Sequence, residues 1–235
     1  MFLVETHIGY NSKIHNIGNF HYQSICRNVS NNNRHVGGIA ILIKSYIKPH
    51  VKILKNTNVD YQRVKLEKTF FGFKKDLFIC VTYNPPISSK YTQELKHDIL
   101  DCIGKDITHC NKLGNILLCG DFNARISCEN DFILNDESKF TPIYEDYETD
   151  KNILKRQSRD TKIDQRGKEL LDLCISNQLR ILNGRVLGDI FGILAIPIMV
   201  PVWLIMYLCR RISLSKFYFF MYLHLFLLYL IVIVN

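Results

Sequence analysis

Ile116-Leu117-Leu118-Cys119-Gly120-Asp121-Phe122-Asn123-Ala124 reads as a buried strand that stops on a carboxylate and a carboxamide two positions apart. Alternate residues of a strand share a face. The spacing therefore predicts that Asp121 and Asn123 point together from the C-terminal edge of a sheet into a cleft. There an Asp can hold a metal ion or orient a water, and an Asn can hydrogen-bond a phosphoryl oxygen, a pairing that suits metal-assisted phosphodiester cleavage. A bare Asp-x-Asn is more often a plain turn after a strand, so the rest of the chain has to decide.

Two further apolar runs stop on polar residues. Phe2-Leu3-Val4 delivers Glu5-Thr6-His7, and Ile79-Cys80-Val81-Thr82 delivers Tyr83 followed by Asn84-Pro85-Pro86. Active sites of layered α/β folds gather at such strand ends. With Gly37-Gly38-Ile39-Ala40-Ile41-Leu42-Ile43, and Arg166-Gly167 through Ile181-Leu182-Asn183-Gly184-Arg185, these make five ordered blocks over about four fifths of the chain. Together they resemble the endonuclease/exonuclease/phosphatase superfamily, and within it the apurinic-type endonuclease domain of non-LTR retrotransposons.

The resemblance implies roles for individual positions. Glu5 corresponds to a Mg²⁺-binding glutamate (Mn²⁺ being the alternative ion), Tyr83 to a tyrosine at the scissile phosphate, Asp121 to the residue that orients or deprotonates the attacking water, and Asn123 to a phosphate-binding side chain. Hard divalent cations take oxygen ligands and few protein carboxylates, and they offset charge developing at phosphorus. Without the resemblance, Glu5 would read as a solvated charge near a terminus and Tyr83 as a packed strand aromatic. His7 reads as a surface residue.

The resemblance also sets expectations that the chain does not meet. A first strand carrying an Asn is expected before the glutamate, and the sequence starts at Met1, too late to contain it. A Ser-Asp-His motif is expected after Asn183 and does not occur; His224 sits among Leu223, Leu225 and Phe226 and is no substitute.

The formal net charge is +8, and all but two of these positive charges belong to the part before Leu187. That balance suits a polyanionic partner, although the cations are dispersed. The eight cysteines contain no Cys-x-x-Cys pair, and Cys80, Cys119 and Cys174 lie inside apolar runs, where a thiol behaves as a small hydrophobe. A reducing, intracellular compartment is the simpler expectation. Met1-Phe2-Leu3-Val4 meets Glu5 too soon for the apolar region of a signal peptide.

Along the chain, Gly9 to Arg34 reads as a long polar loop with short strands, and Val36 to Ile43 as a buried strand. Val51 to Leu54 and Tyr61 to Leu66 read as further strands, the second half-exposed. Lys90 to Cys110 places Leu95, Ile99, Leu100, Ile103 and Ile107 at helical spacing, predicting one amphipathic helix. Cys128 to Asp164 is polar and irregular, and Gln165 to Asn177 is a second helix leading to a strand at Leu179 to Leu182.

Beyond Gly192 the character changes. Ile190 to Cys209 and Phe217 to Val234 are apolar runs separated by Arg210, Arg211 and Lys216, which on hydropathy read as two membrane-spanning helices of about 20 residues with a cytoplasmic basic loop. A reading-frame shift is the other account. Joining the third base of each codon to the first two of the next, Met199/Val200 must give glycine and Met206/Tyr207 must give valine. Junctions from Ala195/Ile196 onward allow Tyr-Ser-Tyr-Asn-Gly-Ser-x-Val-Val-Asp-Tyr-Val, the segment that the resemblance expects there.

The expected fold is a four-layer α/β sandwich, two packed β-sheets flanked by helices, incomplete and with an apolar helical C-terminal tail. Residues 1–192 form a partial endonuclease/exonuclease/phosphatase domain and 193–235 the tail. The expected function is that of a remnant Mg²⁺-dependent DNA endonuclease, weakly active or inactive as written. DNA is the expected partner, a membrane contact would come through the tail, and no obligate protein partner is inferred. The location is nuclear for an ancestral element, or membranous if the tail is an anchor. Two alternatives are a membrane-anchored phosphodiesterase or phosphatase-like protein and a non-catalytic polyanion-binding module.

Overall fold

The computed structural model describes residues 1–8, 18–27, 36–55, 58–94, 98–133 and 155–185, together with the backbone of 208–210. The strands are β1 (Phe2–Val4), β2 (Phe20–Arg27), β3 (Val36–Lys44), β4 (Val51–Leu54), β5 (Tyr61–Leu66), β6 (Asp76–Tyr83), β7 (Gly114–Asp121), β8 (Leu179–Ile181) and β9 (Leu208–Arg210). The helices are α1 (Lys68–Phe71), α2 (Lys90–Glu94), α3 (Ile99–Asn111) and α4 (Gln165–Ser176). A smaller sheet has the order β1-β3-β2 and a larger one the order β4-β5-β6-β7-β9-β8. Every pairing is antiparallel except β6 with β7.

The two sheets pack face to face. Ile39, Ile41 and Ile43 of β3 meet Val64, Leu66, Ile79 and Val81 of the larger sheet. Burial of one such side chain contributes about 2 kcal/mol, so this layer accounts for the near-continuous apolar run of β3, whose central residues are all buried. The outer face of the larger sheet carries a second core, where Phe78, Cys80, Ile116 and Leu118 pack on Ile99, Ile103 and Ile107 of α3 and Leu170 and Cys174 of α4. Parallel strands need a crossover connection. The segment carrying α3 supplies it between β6 and β7.

The C-terminal part of the described chain is fastened by a buried ion pair. Arg185 donates to both carboxylate oxygens of the fully buried Asp131, at 2.7 and 2.6 Å, and the Ile181 amide donates to the same group at 2.6 Å. The Phe132 ring lies 5.9 and 5.5 Å from the guanidinium carbons of Arg180 and Arg185. These contacts tie the segment after β7 to the end of β8.

Four expectations are corrected. The helix expected over Lys90–Cys110 is two: α3 begins only after Asp98, whose extended backbone and side-chain bond to the Leu100 amide at 2.6 Å cap it. The Gly9–Arg34 region contains an eight-residue strand, β2, paired along its length with β3; its residues 9–17 and 28–34 lie outside the described part. The first residues of β5 are not half-exposed, because Tyr61 and Gln62 are buried on both faces of the larger sheet.

The tail is the fourth. Its expected first helix reaches Cys209, yet Leu208–Arg210 is a strand, antiparallel to β7 at Leu117 and Leu118 and to β8 along its length. The sheet position between β7 and β8 is therefore filled there by an extended segment. The β7 and β8 edges carry backbone groups that need partners, and an extended apolar segment supplies them whatever its side chains are. The remaining expected helical residues, 190–207 and 217–234, lie outside the described part. Among the described residues no helix is long and apolar enough to cross a membrane.

Candidate active site

Tyr83 and Asp121 close the parallel pair β6–β7 and stand opposite each other in its register. The register is tight one step earlier. A Cβ on Gly120, whose φ is +129°, would lie 2.0 Å from the Thr82 carbonyl oxygen. The end of β6 is held from its other side by the Asp60 carbonyl, which accepts from the Tyr83 amide at 2.8 Å and the Thr82 hydroxyl at 3.2 Å.

After Asp121 the chain does not continue as a strand. Asn123 adopts a left-handed φ of +46°, and its amide donates to Asp121 Oδ1 at 2.9 Å. Phe122 between them is buried in the outer core. The juxtaposition of Asp121 with Asn123, expected from strand alternation, is thus made by a side-chain-closed turn. The turn and the Asp121/Asn123 pairing are one feature here.

The Asn123 carboxamide is oriented by its neighbours. Nδ2 donates to the Asn84 carbonyl at 2.8 Å and to Asp121 Oδ2 at 3.1 Å. A carbonyl only accepts, so the nitrogen must face Asn84 and the oxygen Oδ1 faces away. A new contact from Nδ2 to a phosphoryl oxygen would require one of those two bonds to open.

Glu5 arrives from the smaller sheet. Beyond β1 the backbone turns through left-handed conformations at Glu5 (φ +54°) and His7 (φ +51°), while the amides of Thr6 and His7 donate to Gly38 and Gly37 carbonyls at 3.3 and 2.9 Å. Gly37 is needed at that point, since a Cβ there would lie 3.2 Å from the Tyr83 ring at a φ of +66°. The Tyr83 hydroxyl then donates to Glu5 Oε1 at 2.5 Å. His7 is exposed.

Glu5, Tyr83, Asp121 and Asn123 are therefore gathered at one end of the sandwich. Burial pushes the Asp121 carboxyl above its ordinary range; the Asn123 amide bond opposes this, the nearby Glu5 carboxylate adds to the rise, and Arg166 offsets part of it. Two neighbouring carboxylates that repel each other form a set of hard oxygen donors. They fit a cation that takes one or two protein carboxylates and completes its shell with water and phosphate oxygens. Among the described residues no third His, Cys, Asp or Glu joins them as a metal-holding group.

Two residues at the site escaped the sequence reading as participants. Asn84 is buried, donates its amide to the Asp121 carbonyl at 2.7 Å and receives Asn123 on its own carbonyl. Arg166, at the start of α4, donates to the Pro85 carbonyl and, at 3.5 Å, to the Asn84 carbonyl. The Asn-Pro dipeptide signals a turn but no partner. A cation in the first turn of an amphipathic helix ordinarily reads as exposed.

No protein-family model matches the chain, and no curated protein does. Among solved structures, the chain is similar to the 3′ phosphatase NExo from Neisseria bound to a product DNA hairpin. That match has 10% identity and a TM-score of 0.40, covering 81% of this chain and 67% of that one. It is also similar to the human Nocturnin catalytic domain with bound sulfate, at 17% identity and a TM-score of 0.27, covering 44% of this chain and 43% of that one. The functional reading rests on the geometry of the strand ends.

Proposed function

We propose that this chain is a remnant of a Mg²⁺-dependent DNA endonuclease of the apurinic type found in non-LTR retrotransposons. The observation that carries the reading is the convergence of Glu5, Tyr83, Asp121 and Asn123 from three strand ends on two different sheets. Glu5 and Asp121 would hold Mg²⁺ or Mn²⁺, which when bound supplies charge to offset the developing negative charge on phosphorus. Asp121 is the group that would orient a water and accept its proton. Tyr83 fixes the Glu5 carboxylate through a charge-assisted hydrogen bond. Asn123 holds Asp121 in a single orientation through its amide and carboxamide.

Residues 184–235 carry no Ser-Asp-His motif, and the parts of a catalytic constellation act together, so slow turnover by residues 1–235 alone is the expected result. The test separates the ion from the reaction. The full chain should bind Mn²⁺, read by electron paramagnetic resonance, and Glu5→Gln should abolish the binding. Any plasmid relaxation should require Mg²⁺ and vanish in Asp121→Ala. A chain that binds no divalent cation, or that relaxes plasmid equally well with chelator present, overturns the reading.

A further inference from the structure

Arg166 is buried at 6% exposure, yet among the described residues no carboxylate lies within ion-pairing distance of it. Its guanidinium is instead directed at two successive backbone carbonyls, those of Asn84 and Pro85, 82 and 81 positions away in sequence. Its charge is met at longer range by Asp98, Glu169, Asp164 and Asp121, whereas its hydrogen bonds go to backbone carbonyls. Here one of them is the acceptor for Asn123 Nδ2.

We propose that Arg166 is a positioning residue, which sets the orientation of the Asn123 carboxamide, and through it of Asp121, by holding the Asn84–Pro85 carbonyls. Every part of the relay is in place. The Asn84 amide is tied to the Asp121 carbonyl at 2.7 Å, and the proline that follows restricts its ψ to extended values. One guanidinium nitrogen, bonded to the Pro85 carbonyl and 3.5 Å from the Asn84 carbonyl, restrains the freedom that is left. The Asn84 oxygen then faces Nδ2, Nδ2 also reaches Asp121 Oδ2 at 3.1 Å, and Oδ1 is turned away from both.

The helix start is built to deliver Arg166. Asp164 caps α4 by accepting from the Gly167 amide at 2.7 Å and also accepts from the Arg125 amide at 3.1 Å, two residues beyond Asn123. Its own amide donates back to the Arg125 carbonyl at 3.0 Å. A Cβ on Gly167 would sit 1.9 Å from that carbonyl, so only glycine lets the helix approach this closely. The Asp-x-Arg-Gly sequence thus docks α4 under the turn after β7 and aims Arg166 across to the end of β6.

The inference deepens the proposed site, but its test needs neither metal nor DNA. In the full chain labelled with ¹⁵N, the Asn123 side-chain amide should give two well-dispersed, slowly exchanging proton signals. In Arg166→Met these should converge and exchange with solvent roughly tenfold faster, the equivalent of losing about one hydrogen bond. Arg166→Lys, which can reach one carbonyl, should restore part of the protection. Ile103→Val, which loosens the outer core away from the site, controls for a general loss of stability and should leave the signals unchanged. Unchanged Asn123 signals in Arg166→Met would reduce Arg166 to an anchor of α4 and overturn the proposal. Failure to bind Mn²⁺ would instead remove the metal reading and leave this result standing.

Discussion

The Tyr83 hydroxyl donates to Glu5 Oε1 at 2.5 Å, linking the last residue of β6 to the turn after β1 across 78 positions of sequence. With the packing of the Tyr83 ring beside Gly37, it joins the smaller sheet to the end of the larger one where Asp121 lies. Partners that orient a metal-binding carboxylate commonly account for tenfold or more in affinity. Tyr83→Phe should therefore weaken Mn²⁺ binding by about tenfold with little change in thermal stability. An unchanged affinity would mean that Glu5 is oriented by other contacts.

The raised Asp121 carboxyl makes a prediction of definite sign. Its folded-state value lies above the ordinary 3.8. Just above that pH the folded protein keeps a proton that the unfolded chain has lost, so stability falls as pH rises through the window and stays lower at neutral pH. Asp121→Asn should melt above the wild type at pH 7, and the gain should disappear near pH 3. A variant no more stable at pH 7 would count against the strain.

Mg²⁺ should act in the same place. If Glu5 and Asp121 share a cation, saturating Mg²⁺ should raise the melting temperature of the wild type. In Asp121→Asn the rise should be much smaller. Equal rises in both proteins, followed by calorimetry, would place the ion elsewhere.

Gly120 and Gly72 separate a backbone preference from a collision. Both have positive φ, but a Cβ at Gly72 meets nothing within 4 Å, whereas at Gly120 it would lie 2.0 Å from the Thr82 carbonyl oxygen. Urea unfolding should show Gly72→Ala to cost about 1 kcal/mol and Gly120→Ala at least about 3 kcal/mol. Similar losses would show that β6 and β7 can separate at that point.

Asp131→Ala should be among the most damaging single changes, at about 3–5 kcal/mol, because it removes the buried carboxylate that the Arg185 guanidinium contacts through both oxygens. Equilibrium unfolding by urea measures it directly. A loss under 1 kcal/mol would mean that water reaches the vacated carboxylate site.

Local pattern was sufficient for the elements that carry the site. β1 and β4 have the bounds that their apolar residues mark out, β5 has those of its alternating pattern, and β6 and β7 end on Tyr83 and Asp121. A strand buried between layers must be apolar along its length, and the first polar residue is where it can leave the core, so the strand ends were visible in the order of residues. Helix α4 was legible for a similar reason, since amphipathic spacing is a short-range effect.

Contacts between distant residues decided the rest. Nothing in Gly120-Asp121-Phe122-Asn123-Ala124 distinguishes strand alternation from a left-handed turn. The turn prevails because Phe122 is drawn into the outer core while the Asn84 carbonyl captures Asn123. Leu208 and Cys209 read as the end of an apolar helix, and Arg210 as the start of a basic loop, until β7 and β8 offer them backbone partners. Arg166 looks like a solvated helix charge until packing buries it against carbonyls more than 80 positions away. Strand propensity and capping act within a few residues, whereas the direction of a buried polar side chain follows from whichever donors and acceptors the packed layers leave beside it.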